Sequence, residues 1–142
     1  MKTVAQLLKL KSPEVVSIRP DVPVLDALKL LADKGVGAVL VMDGSRLVGI
    51  ISERDYARKV ALKGKSSNAT QVHEIMTKEV ICVTPTRTNE ECMALMTDKR
   101  LRHLPVIDDD KVVGILSIGD LVKDAISEQQ FIIEQLEHYI YR

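Results

Sequence analysis

The sequence predicts an α+β fold: two tandem β-α-β-β-α repeats packed with pseudo-twofold symmetry, followed by a C-terminal helix. Two observations carry most of this reading. Shifted by 65 positions, Glu14–Tyr56 lies over Glu79–Leu121 without a gap and matches at 13 of 43 positions. Unrelated stretches of ordinary composition match at about two or three. Each copy is also too small to bury an adequate core alone, so the halves are expected to pack together, with any cleft between them arising in near-symmetric pairs.

In the first copy Val15–Ile18 reads as a short strand ending at Pro20. Val24–Lys34 reads as a helix, with Leu25, Leu28, Leu31 and Ala32 at three- and four-residue spacing and Pro23 suited to its first turn. Gly35 and Gly37 end it. The apolar run Ala38–Met42 and the segment Leu47–Ile51 read as strands around an Asp43-Gly44 hairpin signal. Ser52 opens a helix reaching about Lys63.

The second copy repeats the order: strand Val80–Val83, helix Asn89–Lys99, strand Leu104–Ile107, turn Asp108–Lys111, strand Val112–Leu116 and a helix from Ser117. Thr88 and Glu91 have capping-box spacing. Gly64–Asn68 is a polar linker, and Thr70–Met76 reads as a short helix. Its expected counterpart is Ala5–Lys11, with Gln6 over Gln71 at the same offset. The tail, Ser127–Arg142, reads as a helix with Phe131, Ile132, Ile133, Leu136, Tyr139 and Ile140 apolar. That face suits packing on its own domain or on a second subunit.

The chain has 142 residues, 46% hydrophobic, with 20 basic and 20 acidic residues. A balanced charge with one Phe, three Tyr and no Trp argues against a nucleic-acid surface. The longest near-apolar run, Val36–Met42, is far short of the roughly 20 residues of a membrane span. No signal-peptide pattern opens the chain, and Cys82 and Cys92 form no C-x-x-C, so a cytoplasmic location is expected. The Asp108-Asp109-Asp110 run fits hairpin chemistry rather than a metal site, and no metal is expected. His73 and His138 read as surface residues. No Walker motif, no complete dinucleotide fingerprint and no nucleophile–base set is present, so no catalytic residue is assigned.

The best-preserved local pattern is Gly49-Ile50-Ile51-Ser52-Glu53-Arg54-Asp55, mirrored by Gly114-Ile115-Leu116-Ser117-Ile118-Gly119-Asp120. In both, a strand ends and a helix begins at Ser, which places a hydroxyl and backbone N–H groups at a positive helix end. The carboxylate one turn in can accept two hydrogen bonds from a ribose diol. Ser-x-x-Asp is equally a capping box, in which the two side chains satisfy each other's backbone donors.

Paired β-α-β-β-α copies, each with a strand–Pro segment, Leu104-Pro105-Val106 or its equivalent, and G-h-h-S-x-x-D, resemble a tandem CBS-domain (cystathionine β-synthase domain pair) module. The chain is similar to the stand-alone bacterial type. The resemblance covers residues 11–66 as the first CBS repeat and 76–131 as the second, with 132–142 as a helical tail. It implies a non-catalytic regulatory module, with an adenine nucleotide (AMP, ADP, ATP, NAD(H) or S-adenosylmethionine) as regulatory ligand and no required cofactor. It also implies a homodimer, and leaves room for an unidentified protein effector.

By the same resemblance, Asp55 and Asp120 are the ribose-binding carboxylates and Ser52 and Ser117 the phosphate-proximal hydroxyls. Ile18-Arg19-Pro20 and Val83-Thr84-Pro85 flank the adenine. Arg102 and His103, preceding Leu104-Pro105, supply basic groups. The copies differ where Arg102-His103 lies over Gly37-Ala38 and where Arg54 lies over Gly119. Unequal sites are therefore expected, the stronger centred on Asp120. Which site Arg54 serves stays open. Two alternatives stand beside this reading: an interaction module with vestigial clefts, and a redox or metabolic enzyme using Cys82, Cys92 or His103.

Overall fold

The computed structural model describes residues 2–141; Met1 and Arg142, the last residue of the expected tail helix, lie outside the described residues. The elements in chain order are α1 (Val4–Lys9), β1 (Ser17–Ile18), α2 (Val24–Lys34), β2 (Ala38–Asp43), β3 (Arg46–Ser52), α3 (Glu53–Tyr56), which continues as a π-helical turn over Ala57–Ala61, α4 (Val72–Ile75), α5 (Asn89–Lys99), β4 (His103–Asp108), β5 (Lys111–Ser117) and α6 (Ile118–Tyr141). They form two compact units. One holds Glu14–Ile81; the other joins Met1–Pro13 to Cys82–Arg142. The α+β class, the two repeats and the C-terminal helix are as expected.

In the unit holding the first copy, β1 pairs parallel with β2 and β2 antiparallel with β3. The two hydrophobic runs, joined through Asp43-Gly44, place Val39, Val41 and Ile51 in a core with Val24, Ala27 and Leu31 of α2, Val60, and Val72 and Ile75 of α4. The buried face of α2 differs from the expected stripe. Leu25 and Leu28 are half-buried and Ala32 is exposed. Leu and Val occupy several sides of this helix, so spacing alone did not select the face that packs. Pro23 is the N-cap rather than a first-turn residue.

The other unit repeats the scheme at the same 65-residue offset. Asn89, Cys92 and Met96 of α5 are buried where α2 buries Val24, Ala27 and Leu31. The expected Thr88–Glu91 capping box is formed. The expected strand Val80–Val83, however, is reduced to a single parallel bridge between Val83 and Val106. Val83 N–H donates to the Pro105 carbonyl and Ile107 N–H to that of Val83. The next rung would need an N–H from Pro105, which has none. Leu40, the residue 65 positions earlier, supplies that N–H to Val16 in the first copy, and there a strand forms.

The short leading helices obey a different offset. Val4 N–H bonds the Arg87 carbonyl and Ala5 N–H that of Pro85; Val72 N–H bonds Val22 and His73 N–H bonds Pro20. Asn89 N–H bonds Lys2 as Val24 N–H bonds Thr70. Each leading residue is thus 68, not 65, positions from its counterpart. Gln6 therefore does not correspond to Gln71. Thr3 and Gln71 are the two N-caps, and Gln6 and Glu74 are the residues that close the two capping boxes. The three additional positions lie between the helix and the repeated block, where no periodicity reveals them.

The tail is not a separate element. The helix from Ser117 runs unbroken into it as α6, 24 residues long. Leu121 and Asp124 are buried, whereas every residue from Gln129 to Tyr141 is exposed. The tail face therefore does not pack on its own unit. At the root of α6, Asn89 Nδ2 donates to the Leu121 carbonyl (3.0 Å) and Asp124 Oδ2 (2.7 Å), and Lys2 Nζ reaches Asp124 Oδ1 at 2.6 Å.

The two glycines of the repeated motif are set by close approach. A Cβ at Gly49 would lie 2.6 Å from Met76 Sδ and 3.1 Å from the Thr77 carbonyl oxygen; at Gly114 it would lie 2.6 Å from Leu8 Cδ2. Thr77 is locked by exchanging both backbone bonds with Ile50, while Leu8 can change rotamer. Gly49→Ala should therefore destabilise by about 1–3 kcal/mol and Gly114→Ala by distinctly less, as read by urea unfolding.

Candidate functional site

Both Ser-x-x-Asp motifs are closed capping boxes. Asp120 N–H donates to Ser117 Oγ (3.2 Å) and Ser117 N–H to Asp120 Oδ2 (2.8 Å). Asp55 N–H donates to Ser52 Oγ (3.2 Å), while Ser52 N–H and Oγ donate to Asp55 Oδ2 at 2.9 and 3.0 Å. A further donor is used up the same way in each copy: Ile118 N–H bonds the Arg102 carbonyl and Glu53 N–H that of Gly37. The capping role is therefore real in both copies. What separates the copies is what else reaches each carboxylate.

At Asp120 the second partner is Lys11, whose ammonium lies 2.7 Å from Oδ2 and also donates to the Ile115 carbonyl at 2.8 Å. The described bonds to this carboxylate fall on Oδ2. Burial pushes the Asp120 carboxyl up, but Lys11 and the Ser117 donors outweigh it, and the group titrates below its ordinary value. At Asp55 both oxygens are engaged: Oδ2 by Ser52, and Oδ1 by Lys59 at 3.0 Å and by the Thr77 hydroxyl at 3.4 Å. The Asp55 side chain is 13% exposed and that of Asp120 28%. The described bonds thus engage one oxygen of the second carboxylate, which stands at the head of a 24-residue helix. The first stands at a four-residue α-helix that at once widens into a π turn.

His103 faces Ser117 across the β4–β5 ladder, and Ala38 occupies the same place opposite Ser52. Burial lowers the His103 pKa, and Lys11 and Arg102 lower it further against the opposing pull of Asp120. Its ring is therefore neutral at pH 7. Arg102 is exposed beside it. The second copy thus gathers Ser117, Asp120, His103, Arg102 and Lys11 around one helix start.

The expected adenine-flanking segments stand further along each sheet from the Ser positions. Ile18 is level with Val41, whereas Ser52 is level with Ala38, so three residues of β2, about 10 Å, and one further strand separate them. Val83 stands in the same relation to His103 and Ser117. Beyond the strand, Arg19 forks onto Asp21 (3.0 and 3.1 Å), and Pro20 and Pro85 carry the leading helices through their carbonyls. Thr84 Oγ1 meets Thr86 Oγ1 at 3.2 Å. Pro105 and Val83 are buried, and Arg54 is exposed in the first turn of α3.

Three residues were not assigned from sequence. Lys59 was legible in principle, since it lies one helical turn after Asp55. Lys11 is 109 residues from Asp120 and Thr77 is 22 from Asp55, and no local spacing signals either. Burial raises the pKa of both thiols, that of Cys82 and that of Cys92, which disfavours the reactive thiolate. Among the described residues, no cluster of three His, Cys, Asp or Glu is placed to hold a metal, and no helix is long and apolar enough to cross a membrane.

The CBS-domain family model matches residues 4–62 and 72–126, and the chain belongs to that family. A putative signal-transduction protein with CBS domains from Burkholderia ambifaria MC40-6 is 53% identical, with a TM-score of 0.87 over 90% of this chain and 96% of that one. The mitochondrial CBS domain-containing protein CBSX3 of Arabidopsis thaliana is 43% identical over 84% of this chain, which spans 61% of that relative's length. The CBS domain pair of protein MJ0100, solved with 5'-methylthioadenosine and S-adenosyl-L-methionine, shares the fold at 24% identity and a TM-score of 0.75, over 86% of this chain and 98% of that one.

The His103 environment has a pH signature. Unfolded, the ring takes a proton near pH 6.5; folded, it does so only at lower pH. The unfolded state thus binds more protons below that point, and stability should fall as pH drops through 6.5 toward the folded value. Melting temperatures from pH 7.5 to 5 should show this decline in the wild type and a shallower one in His103→Gln. The Asp120 contribution, from a lowered carboxyl, is lost only below about pH 4.

Proposed function

We propose that the chain is a non-catalytic regulatory module of the cytoplasm that binds an adenine nucleotide, with its stronger site at Asp120. The observation carrying this reading is the Asp120 carboxylate: one oxygen is held by Ser117 and Lys11, and the other is outside those bonds, beside Arg102 and a neutral His103. A carboxylate so placed accepts a ribose diol, and the two cations attract phosphate. The adenosine-bearing ligands of MJ0100, a protein of the same fold, support the ligand class.

The local charge refines the choice within that class. Lys11 and Arg102 against the single Asp120 leave a net positive site, which favours AMP, ADP, ATP or NADH over the sulfonium of S-adenosylmethionine. Val83-Thr84-Pro85, beyond the strand register, would contact only the far end of a ligand seated here. At Asp55 both carboxylate oxygens are already engaged, so that site binds more weakly. Ligand shifts the module's conformation by binding one arrangement more tightly, and the module acts as a homodimer on a protein effector.

The second reading, an interaction module without a ligand, draws on the closed caps and the exposed α6. Calorimetric titration separates the two. The first predicts saturable AMP binding, with Asp120→Asn, which keeps the capping-box acceptor but gives up the Lys11 ion pair, weakening it at least tenfold while the chain stays folded. Arg102→Ala should weaken AMP more than adenosine. Absence of binding by every nucleotide named here, or equal losses for AMP and adenosine, would overturn the assignment.

A further inference from the structure

The exposed part of α6 carries a seam that its own unit does not cover. Val122, Ile126, Gln129, Ile133, Leu136 and Ile140 alternate at spacings of four and three, the a/d pattern of a two-helix coiled coil. Ile126, Ile133 and Ile140 take the a positions and Val122, Gln129 and Leu136 the d positions. The seam is apolar except for Gln129, so its a and d side chains can serve as the knobs of a coiled coil. The seam is turned about 120° around the helix from the buried Leu121 and Asp124.

We propose that this face pairs with the same face of a second copy of this chain, as an antiparallel two-helix coiled coil with residue 131 of each helix at the same level. The homodimer of the proposed function thereby gains a defined surface, and the inference does not depend on nucleotide binding. In this register Val122 meets the partner's Ile140, Ile126 meets the partner's Leu136, and Gln129 meets the partner's Ile133. Each contact occurs twice, as a twofold interface requires.

The flanks decide direction. Lys123 falls opposite the partner's Glu137, twice by symmetry, and Ile132 falls opposite the partner's Ile132. A parallel pair would leave Lys123 and Glu137 about 21 Å apart along the axis and unmatched. The area is also sufficient. Ile126, Ile140 and Leu136 are 65%, 67% and 56% exposed, and Ile133, Ile132 and Val122 are 46%, 44% and 39% exposed. Two copies would bury on the order of 1,000 Å² of apolar surface, what a specific interface needs.

Sedimentation equilibrium without nucleotide tests this. The wild type should be a dimer at micromolar concentration, and Ile133→Glu should raise the dissociation constant about a hundredfold. Because Ile133 is exposed in the single chain, the melting of the globular units should not change. Lys123→Glu or Glu137→Lys should each weaken the dimer about tenfold, and the double variant should restore it. A wild-type monomer overturns both the homodimer and this surface. A dimer unaffected by Ile133→Glu keeps the homodimer and overturns this surface. Neutral charge reversals overturn the antiparallel direction.

Discussion

The constraint on which the rest depends is the way each unit is closed. The segment preceding the first copy folds against the second, through the backbone bonds of Val4, Ala5 and Asn89. The segment preceding the second copy folds against the first, through Val24, Val72 and His73. Each leading segment approaches a sheet closely, against backbone at Gly49 and against the Leu8 side chain at Gly114. The repeated motif is thus held from behind by residues distant in sequence, and the same residues deliver its charge partners.

The electrostatic difference between the copies follows from that closure. The leading segment that reaches the second copy ends in Lys11, whose ammonium bridges the Ile115 carbonyl and the Asp120 carboxylate. The one that reaches the first copy ends in Thr77, which pairs with Ile50 through its backbone and touches Asp55 only at 3.4 Å. The cation for Asp55 comes instead from Lys59 on its own helix. The position 65 residues after Lys59 is Asp124, which Lys2 and Asn89 neutralise at the base of α6. Two copies with one motif therefore present two different carboxylates: among the described bonds, one is engaged through both oxygens and one through Oδ2.

Much of this was legible in the residues. The 65-residue repeat predicted α2 and α5 to the residue, and both hairpins within one residue at each end. It failed where the physics was not periodic. Val80–Val83 has strand composition, but a proline across the ladder limits it to one bridge. The leading helices keep their caps and buried positions but sit at an offset of 68, so comparing Gln6 with Gln71 at 65 misaligned them. The Ser-x-x-Asp motifs were visible, and so was the difference at Arg102 and His103. Lys11 was not, because its contact is created by folding across more than a hundred residues.

The central claim is that the Asp120 carboxylate, held by Ser117 and Lys11, is where ligand binds. Carbon-detected NMR of the aspartate carboxyl groups during AMP addition tests it most directly. The account predicts that the Asp120 carboxyl resonance shifts along the binding curve while that of Asp55 moves far less. Saturable AMP binding that leaves the Asp120 resonance in place would contradict it.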